Sequence, residues 1–163
     1  MTGKNHLRMR EFRTTDLFAV KALIHRTLVV CYAGHYCPEA IRFFVNYHDE
    51  QAILRDAREG CIIVFEKAGR IVGTGTLTGN EIKRVFVDPA CQQEGVGRLI
   101  MEQLENLAAA TGIANVKLDA SLPSRSFYEH LGYAVVEQAS LPVENGRRLD
   151  FCRMRKMMCV PID

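Results

Sequence analysis

One stretch constrains the chain more than any other. Residues 85–100 read Val85-Phe-Val-Asp-Pro-Ala-Cys-Gln-Gln-Glu-Gly-Val-Gly-Arg-Leu-Ile. An apolar strand runs into a loop carrying Gly95 and Gly97, and a helix begins there. Its apolar face is drawn by Val96, Leu99, Ile100, Leu104, Leu107 and Ala108 at helical spacing. The first N–H groups of a helix have no internal partners. The helix dipole adds partial positive charge at that end, and glycine lets a ligand approach the backbone closely. Together these make an anion site suited to phosphate. An ordinary strand-to-helix connection explains the same glycines without a ligand. Two phosphate motifs are excluded: no G-x-x-x-x-G-K-[ST] exists, and Ile100 stands where the dinucleotide fingerprint needs its third glycine. Gly73 and Gly75 open no helix. They read as a place where something packs close to a sheet.

The rest of the chain frames that loop. Met9 to Arg13 alternates as a first strand, and Thr14, Thr15 and Asp16 are placed to cap a helix. That helix buries Leu17, Val20, Leu23, Ile24, Thr27 and Leu28. Pro38 opens a second helix with Ile41, Phe44 and Val45 on one face. Gln51 to Glu59 reads as a third. Cys61 to Phe65 and Ile71 to Thr78 are strands joined by a Lys67-Ala-Gly-Arg hairpin, where Gly69 supplies a positive φ. Glu81 to Val87 is a strand ended by Asp88-Pro89. Thr111-Gly112 stops the helix that begins at Gly95. Asn115 to Asp119 is a strand, and Ser124 to His130 a short helix closed by Gly132. Tyr133 to Glu137 and Leu149 to Met158 are the last strands. In the final strand the apolar register shifts from Leu149 and Phe151 to Cys152 and Met154, which predicts a bulge. The order of elements predicts a mixed α/β (α+β) sheet flanked by helices, not an alternating doubly wound fold.

Composition narrows the class. At 163 residues, 48% hydrophobic and 25% charged, the chain reads as one globular domain over residues 1–163. A net charge of 21 − 19 = +2 argues for neither nucleic acid nor an acidic membrane surface. No apolar run is long enough to span a bilayer. Met1-Thr-Gly-Lys-Asn-His lacks the apolar segment of a signal peptide. Cys31, Cys37, Cys61, Cys91, Cys152 and Cys159 form no disulfide framework, so reduced thiols and a cytoplasmic setting are expected. Cys31-x-x-x-His35-x-Cys37 has no evident fourth ligand, and no metal is expected. Cys91 reads as an exposed loop thiol. The basic residues Arg147, Arg148, Arg153, Arg155 and Lys156 read as a solvated strand edge.

Three segments carry a resemblance. Gln92-x-x-Gly95-x-Gly97, following a strand that ends Val85-Phe-Val-Asp-Pro, resembles the Q/R-x-x-G-x-G/A signature of the GNAT-superfamily N-acetyltransferases. Ser126-Phe-Tyr-Glu-His-Leu-Gly-Tyr resembles that family's FYxxLGF helix. Met9-Arg-Glu-Phe-Arg-Thr-Thr-Asp resembles its opening strand and helix. In order, they span roughly residues 9 to 158.

The resemblance implies a GNAT-like acyl-CoA N-acyltransferase fold, with a central, mostly antiparallel sheet whose strands splay. It implies acetyl-CoA as co-substrate, moving an acetyl group directly to a primary amine. A small molecule is the favoured acceptor. A protein or peptide acceptor, and a CoA-binding module without turnover, are the alternatives. Main-chain groups of Val85, Phe86 and Val87 would pair with pantetheine. N–H groups of Gln93, Glu94, Gly95, Val96, Gly97 and Arg98, beside Gln92, would hold the pyrophosphate. Ser121 stands where many members carry a cofactor-touching Asn. Glu94 is tolerable beside phosphate only if it points outward. Splaying between the Val85 strand and that at Val116–Asp119 would open the slot. Tyr128 is the expected acid for the leaving thiolate, and Glu81 the expected base, with Asp119 as its substitute. The segment Tyr32 to Tyr36 would line the acceptor pocket, with Tyr36, Phe43 and Tyr47 as its wall. A homodimer joined through terminal strands is also implied.

Overall fold

The computed structural model describes residues 6–160. Met1 to Asn5, where the absence of a signal peptide is read, lies outside them. Strand β1 (Arg8–Glu11) leads through a single turn at Thr14–Asp16 into α1 (Leu17–Tyr32), α2 (Pro38–Tyr47) and α3 (Glu50–Glu59). Then come β2 (Cys61–Lys67), β3 (Arg70–Thr78), β4 (Glu81–Val87), α4 (Val96–Ala110), β5 (Asn115–Ser121), α5 (Arg125–His130), β6 (Ala134–Pro142) and β7 (Arg148–Met157). The strands form one seven-stranded sheet ordered β1-β2-β3-β4-β5-β7-β6. Every pairing is antiparallel except β4 with β5.

Helices cover both faces. On one, Val96, Ile100, Met101 and Leu104 of α4 pack with Ile63, Val72, Leu118 and Met154. This packing explains the glycines of β3: a Cβ on Gly75 would lie 2.5 Å from Ile100 Cγ2 and 2.9 Å from Leu104 Cδ1. Leu99, placed by periodicity on the buried face, is exposed, and Met101 takes that burial instead. On the other face α1 and α3 bury Leu17, Val20, Ile24, Leu28 and Ile53 against Ile62, Val64 and Phe86.

Two local expectations are corrected. Asp16 does not cap α1 with its side chain. Its carboxylate turns back to accept the Arg13 N–H at 2.7 Å and to pair with Arg10 at 2.7 Å. Arg10 grips both carboxylate oxygens, a bidentate pairing that a cap bond alone would not give. Arg10 also reaches Glu66, so the pair fastens β1, β2 and the entry to α1 together.

The register shift in β7 is no bulge. β7 pairs with β5 without a break from Asn115↔Met157 to Ser121↔Phe151. Leu149 and Phe151 pack under α2 with Ala40, whereas Cys152 and Met154 join the α4 face. The strand changes which of its faces is buried as it crosses the sheet. The irregularity lies in the partner strand, between Val135 and Glu137 of β6.

Candidate functional site

The site begins with a fault in the sheet. β4 and β5 share a single paired position, Glu81↔Lys117. The Lys117 N–H donates to the Asn80 carbonyl at 3.0 Å. Beyond that the strands diverge. β4 contributes to the divergence itself: pairing runs Thr74↔Phe86 and then Thr76↔Lys83, so Arg84 and Val85 together face Gly75. Arg84 sits at φ +53°, with its guanidinium drawn onto the buried carboxylate of Asp56. A residue inserted in this way bends its strand and adds twist.

Two cavities fill the opening. The first, of about 650 Å³, lies between α1, the end of β4, the loop before α4, and α5. It is lined by Val85, Phe86, Val87, Gln92, Gln93, Gly95, Val96, Gly97, Arg98 and Tyr128. Of the residues assigned to the cofactor, only Glu94 and Ser121 do not line it. Glu94 points away, onto Lys67 Nζ at 2.6 Å.

The loop is held from below. The Asp88 carboxylate accepts the Ala90 N–H at 2.9 Å and pairs with Arg26 at 2.6 Å. Gln92 Nε2 donates to the Val87 carbonyl at 3.1 Å. Gln93 and Gly95 adopt left-handed backbone, at φ +69° and +82°. Between them they turn the chain into α4. The first helical bond runs from the Leu99 N–H to the Gly95 carbonyl at 3.1 Å. The N–H groups of Val96, Gly97 and Arg98 are therefore left at the free end of the helix. A Cβ on Gly95 would meet nothing within 4 Å, so its surface is open. Free N–H groups, an open glycine and Arg98 at one helix end fit the diphosphate of a CoA thioester.

The second cavity, of about 190 Å³, lies on the other side of the splay, under α2. Tyr32, Val85, Phe86, Ser124 and Tyr128 line both cavities, so the two meet at these residues. Glu81, Asp119 and Ser121 line the second. The Tyr128 ring is buried and stands edge-on to Phe127 and Tyr133. Its hydroxyl has no hydrogen-bond partner among the described residues. Burial, and Tyr32 nearby, hold its phenol above the ordinary range. Burial raises the Asp119 carboxyl, against the pull of Arg153 and with a further push from Glu81.

Phe43 and Tyr47 line the second cavity, stacked with ring centroids 6.2 Å apart. Tyr36 does not. Its hydroxyl donates to the Asp150 carbonyl at 2.7 Å and accepts the Leu122 N–H at 2.9 Å, which fixes it outside both cavities. Of Cys31, His35 and Cys37, where no metal is expected, Cys31 lines the first cavity, while His35 and Cys37 line a separate depression. Cys91 is half-buried and lines the first cavity too.

Tyr32, at the start of the segment expected to line the acceptor pocket, lines the second cavity; sequence reasoning did not single out Ser124, His48, Lys83 or Arg84, which line it too. Burial, with the charges of Arg84 and His25, pushes the His48 ring down to about 3, so it is neutral. Position along helical spacing gives no sign of His48, because it stands just past the end of α2.

The acetyltransferase (GNAT) domain family matches residues 32–158. The [citrate [pro-3S]-lyase] ligase of Klebsiella pneumoniae is 29% identical over 128 residues, covering 76% of this chain and 36% of that protein. The chain thus spans about a third of that relative's length. The GCN5-related N-acetyltransferase structure from Rhodopseudomonas palustris superposes with a TM-score of 0.85 at 23% identity, covering 93% of this chain and 95% of that one. The PaiA N-acetyltransferase of Thermoplasma acidophilum, solved with coenzyme A, gives a TM-score of 0.74 at 17% identity, covering 93% and 99%. These structural likenesses establish the fold.

Proposed function

The chain belongs to the GNAT acetyltransferase family, and from that premise we propose that it is an acetyl-CoA-dependent N-acetyltransferase acting on a small primary amine. We take residues 1–163 as one catalytic domain. The observation that carries the reading is the meeting of two cavities at Tyr128 through the gap between β4 and β5. One cavity includes a phosphate-ready helix terminus, and the other is lined by carboxylates. The smaller one is lined by Phe43, Phe44 and Tyr47 of α2 and by Leu149 and Phe151 of β7. Its volume of about 190 Å³ favours a metabolite-sized acceptor over a polypeptide.

The helix terminus at Val96 to Arg98 would hold the pyrophosphate, and the exposed edge of β4 at Val85 to Val87 would pair with pantetheine. When bound, the thioester supplies the activated acetyl group. The chain's own groups do the rest. Glu81, or a water on it, takes a proton from the ammonium so that the nitrogen lone pair is free. A main-chain N–H at Phe86 or Val87 supports the carbonyl oxygen as it gains charge. The Tyr128 hydroxyl gives a proton to the departing sulfur. No step is assigned to a metal ion.

Glu81→Gln is expected to lower kcat/KM by roughly ten- to a hundredfold, with acetyl-CoA affinity unchanged. Asp119→Asn is the control. If Asp119→Asn lowers kcat/KM by that much and Glu81→Gln does not, the base is Asp119.

A further inference from the structure

Around Asp56, one wall of the second cavity holds more positive charge than the carboxylate beneath it balances. Asp56 of α3 is buried and is shared by two cations. Lys83 Nζ lies 2.9 Å from one oxygen, and the Arg84 guanidinium is hydrogen-bonded to the other. One carboxylate against two cations leaves one positive charge over. It sits where the Arg84 side chain is 3% exposed. The Arg84 Nε–H is buried without a partner. The cavity wall includes Lys83 and Arg84 but not Asp56, and Lys83 is the more accessible of the two, with 23% of its side chain exposed.

Two further charges act on Arg84 and offset each other. The Asp49 carboxylate, which caps the Ala52 N–H at 2.7 Å, keeps its negative charge. Arg55 adds a further positive charge. His48 stays neutral and contributes none. The Tyr47 ring faces the guanidinium, with its centroid 5.6 Å from Arg84 Cζ. Glu81, Asp119 and Tyr128 line the same cavity. The cavity thus joins cations, carboxylates and aromatic rings in one wall. Glu81 and Lys83 are two residues apart on one strand, about 7 Å along an extended chain. One small molecule reaches both.

Resting on the acetyltransferase reading, we propose that the acceptor amine also carries an anionic group, a carboxylate or a phosphate ester, and that Lys83 and Arg84 form the subsite that holds it. An anion there completes the buried charge balance, which a plain amine leaves open. Lys83 and Arg84 are specificity residues for the acceptor, with no part in the transfer itself.

The test has a binding arm that needs no turnover. Wild-type and Lys83→Gln proteins, each saturated with CoA, are titrated with 3-phenylpropionate, inorganic phosphate and phenethylamine, with amide resonances as readout. Lys83→Gln leaves Arg84 and Asp56 as a balanced pair, so the variant should fold and should bind acetyl-CoA like wild type. Wild type should bind the carboxylate or the phosphate with shifts centred on Lys83, Arg84 and Tyr47, and the variant should bind about tenfold more weakly. Which anion saturates identifies its chemistry. No saturation by either anion overturns the subsite. So do shifts confined to residues 93–98, which would place the anion in the phosphate loop.

The kinetic arm compares phenylalanine with phenethylamine, 4-aminobutyrate with butylamine, and phosphoethanolamine with ethanolamine. At least one charged member should exceed its plain partner about tenfold in kcat/KM, and Lys83→Gln should erase the difference. If the plain amines are the better substrates throughout, the proposal fails while the acetyltransferase reading stands. If wild type does not bind acetyl-CoA at all, the acetyltransferase reading fails and the acceptor subsite falls with it.

Discussion

Gly95→Asp should abolish measurable acetyl-CoA binding in a calorimetric titration while leaving the protein folded. Gly95 stands at the start of α4 with φ +82° and nothing within 4 Å of where a Cβ would lie. The new side chain therefore meets no steric obstacle. Left-handed backbone costs an L-residue about 1–2 kcal/mol, and Asp is among the residues that tolerate it best. Asp at a helix start also caps, which offsets part of that cost. Its carboxylate would take the free N–H groups of Gly97 or Arg98, the same groups that would hold the pyrophosphate. It would also set a negative charge beside that diphosphate. Two like charges about 4 Å apart, at an effective dielectric near 20, repel by about 4 kcal/mol. That corresponds to roughly a thousandfold in Kd.

Gly95→Asn separates charge from geometry. It accepts the same backbone and caps in the same way but carries no charge, so its loss of affinity should be much smaller. Unchanged affinity in a folded Gly95→Asp protein would mean the diphosphate is not bound at this helix end, and the assignments of Gln93 to Arg98 would go with it.

Much of this site is legible in the sequence because its parts are local. A strand, two glycines at the right spacing and a helix start fall within residues 85–100, and each is dictated by neighbouring residues. The buried positions of α1 from Leu17 to Leu28 are legible for the same reason: helical periodicity is a local rule.

What is not legible depends on partners distant in the chain. Arg84 reads as one more charged residue on a strand until Asp56 of α3 is brought beneath it. Asp16 reads as a cap until Arg10 grips both its carboxylate oxygens. The switch of buried face along β7 reads as a bulge, because periodicity sees one strand at a time and not the helices over each half. Tyr36 reads as pocket wall until Asp150 and Leu122 claim its hydroxyl. Where a residue's role is set by charge or hydrogen bonding across the fold, spacing carries no record of it.

Tyr128→Phe tests the chemistry separately from the binding. The ring is held edge-on by Phe127 and Tyr133, with centroids 5.0 and 5.9 Å away, so a phenylalanine keeps the same packing. The hydroxyl has no partner among the described residues, so removing it leaves no buried group stranded. Stability and acetyl-CoA affinity should therefore stay near wild type. If the hydroxyl protonates the leaving sulfur, kcat should fall by roughly a hundred- to a thousandfold.

The pH profile fixes the direction of proton transfer. Burial raises the Tyr128 phenol above its ordinary value, so it remains protonated between roughly pH 6 and 9. A proton donor is then fully present throughout that range, and the defect of Tyr128→Phe should be constant across it. A group acting as a base would be active only in its deprotonated form, so the defect would grow as pH rises. A defect that grows with pH would therefore make Tyr128 a base. No defect at any pH would leave the sulfur to be protonated by water in the cleft, with Tyr128 serving only as its wall.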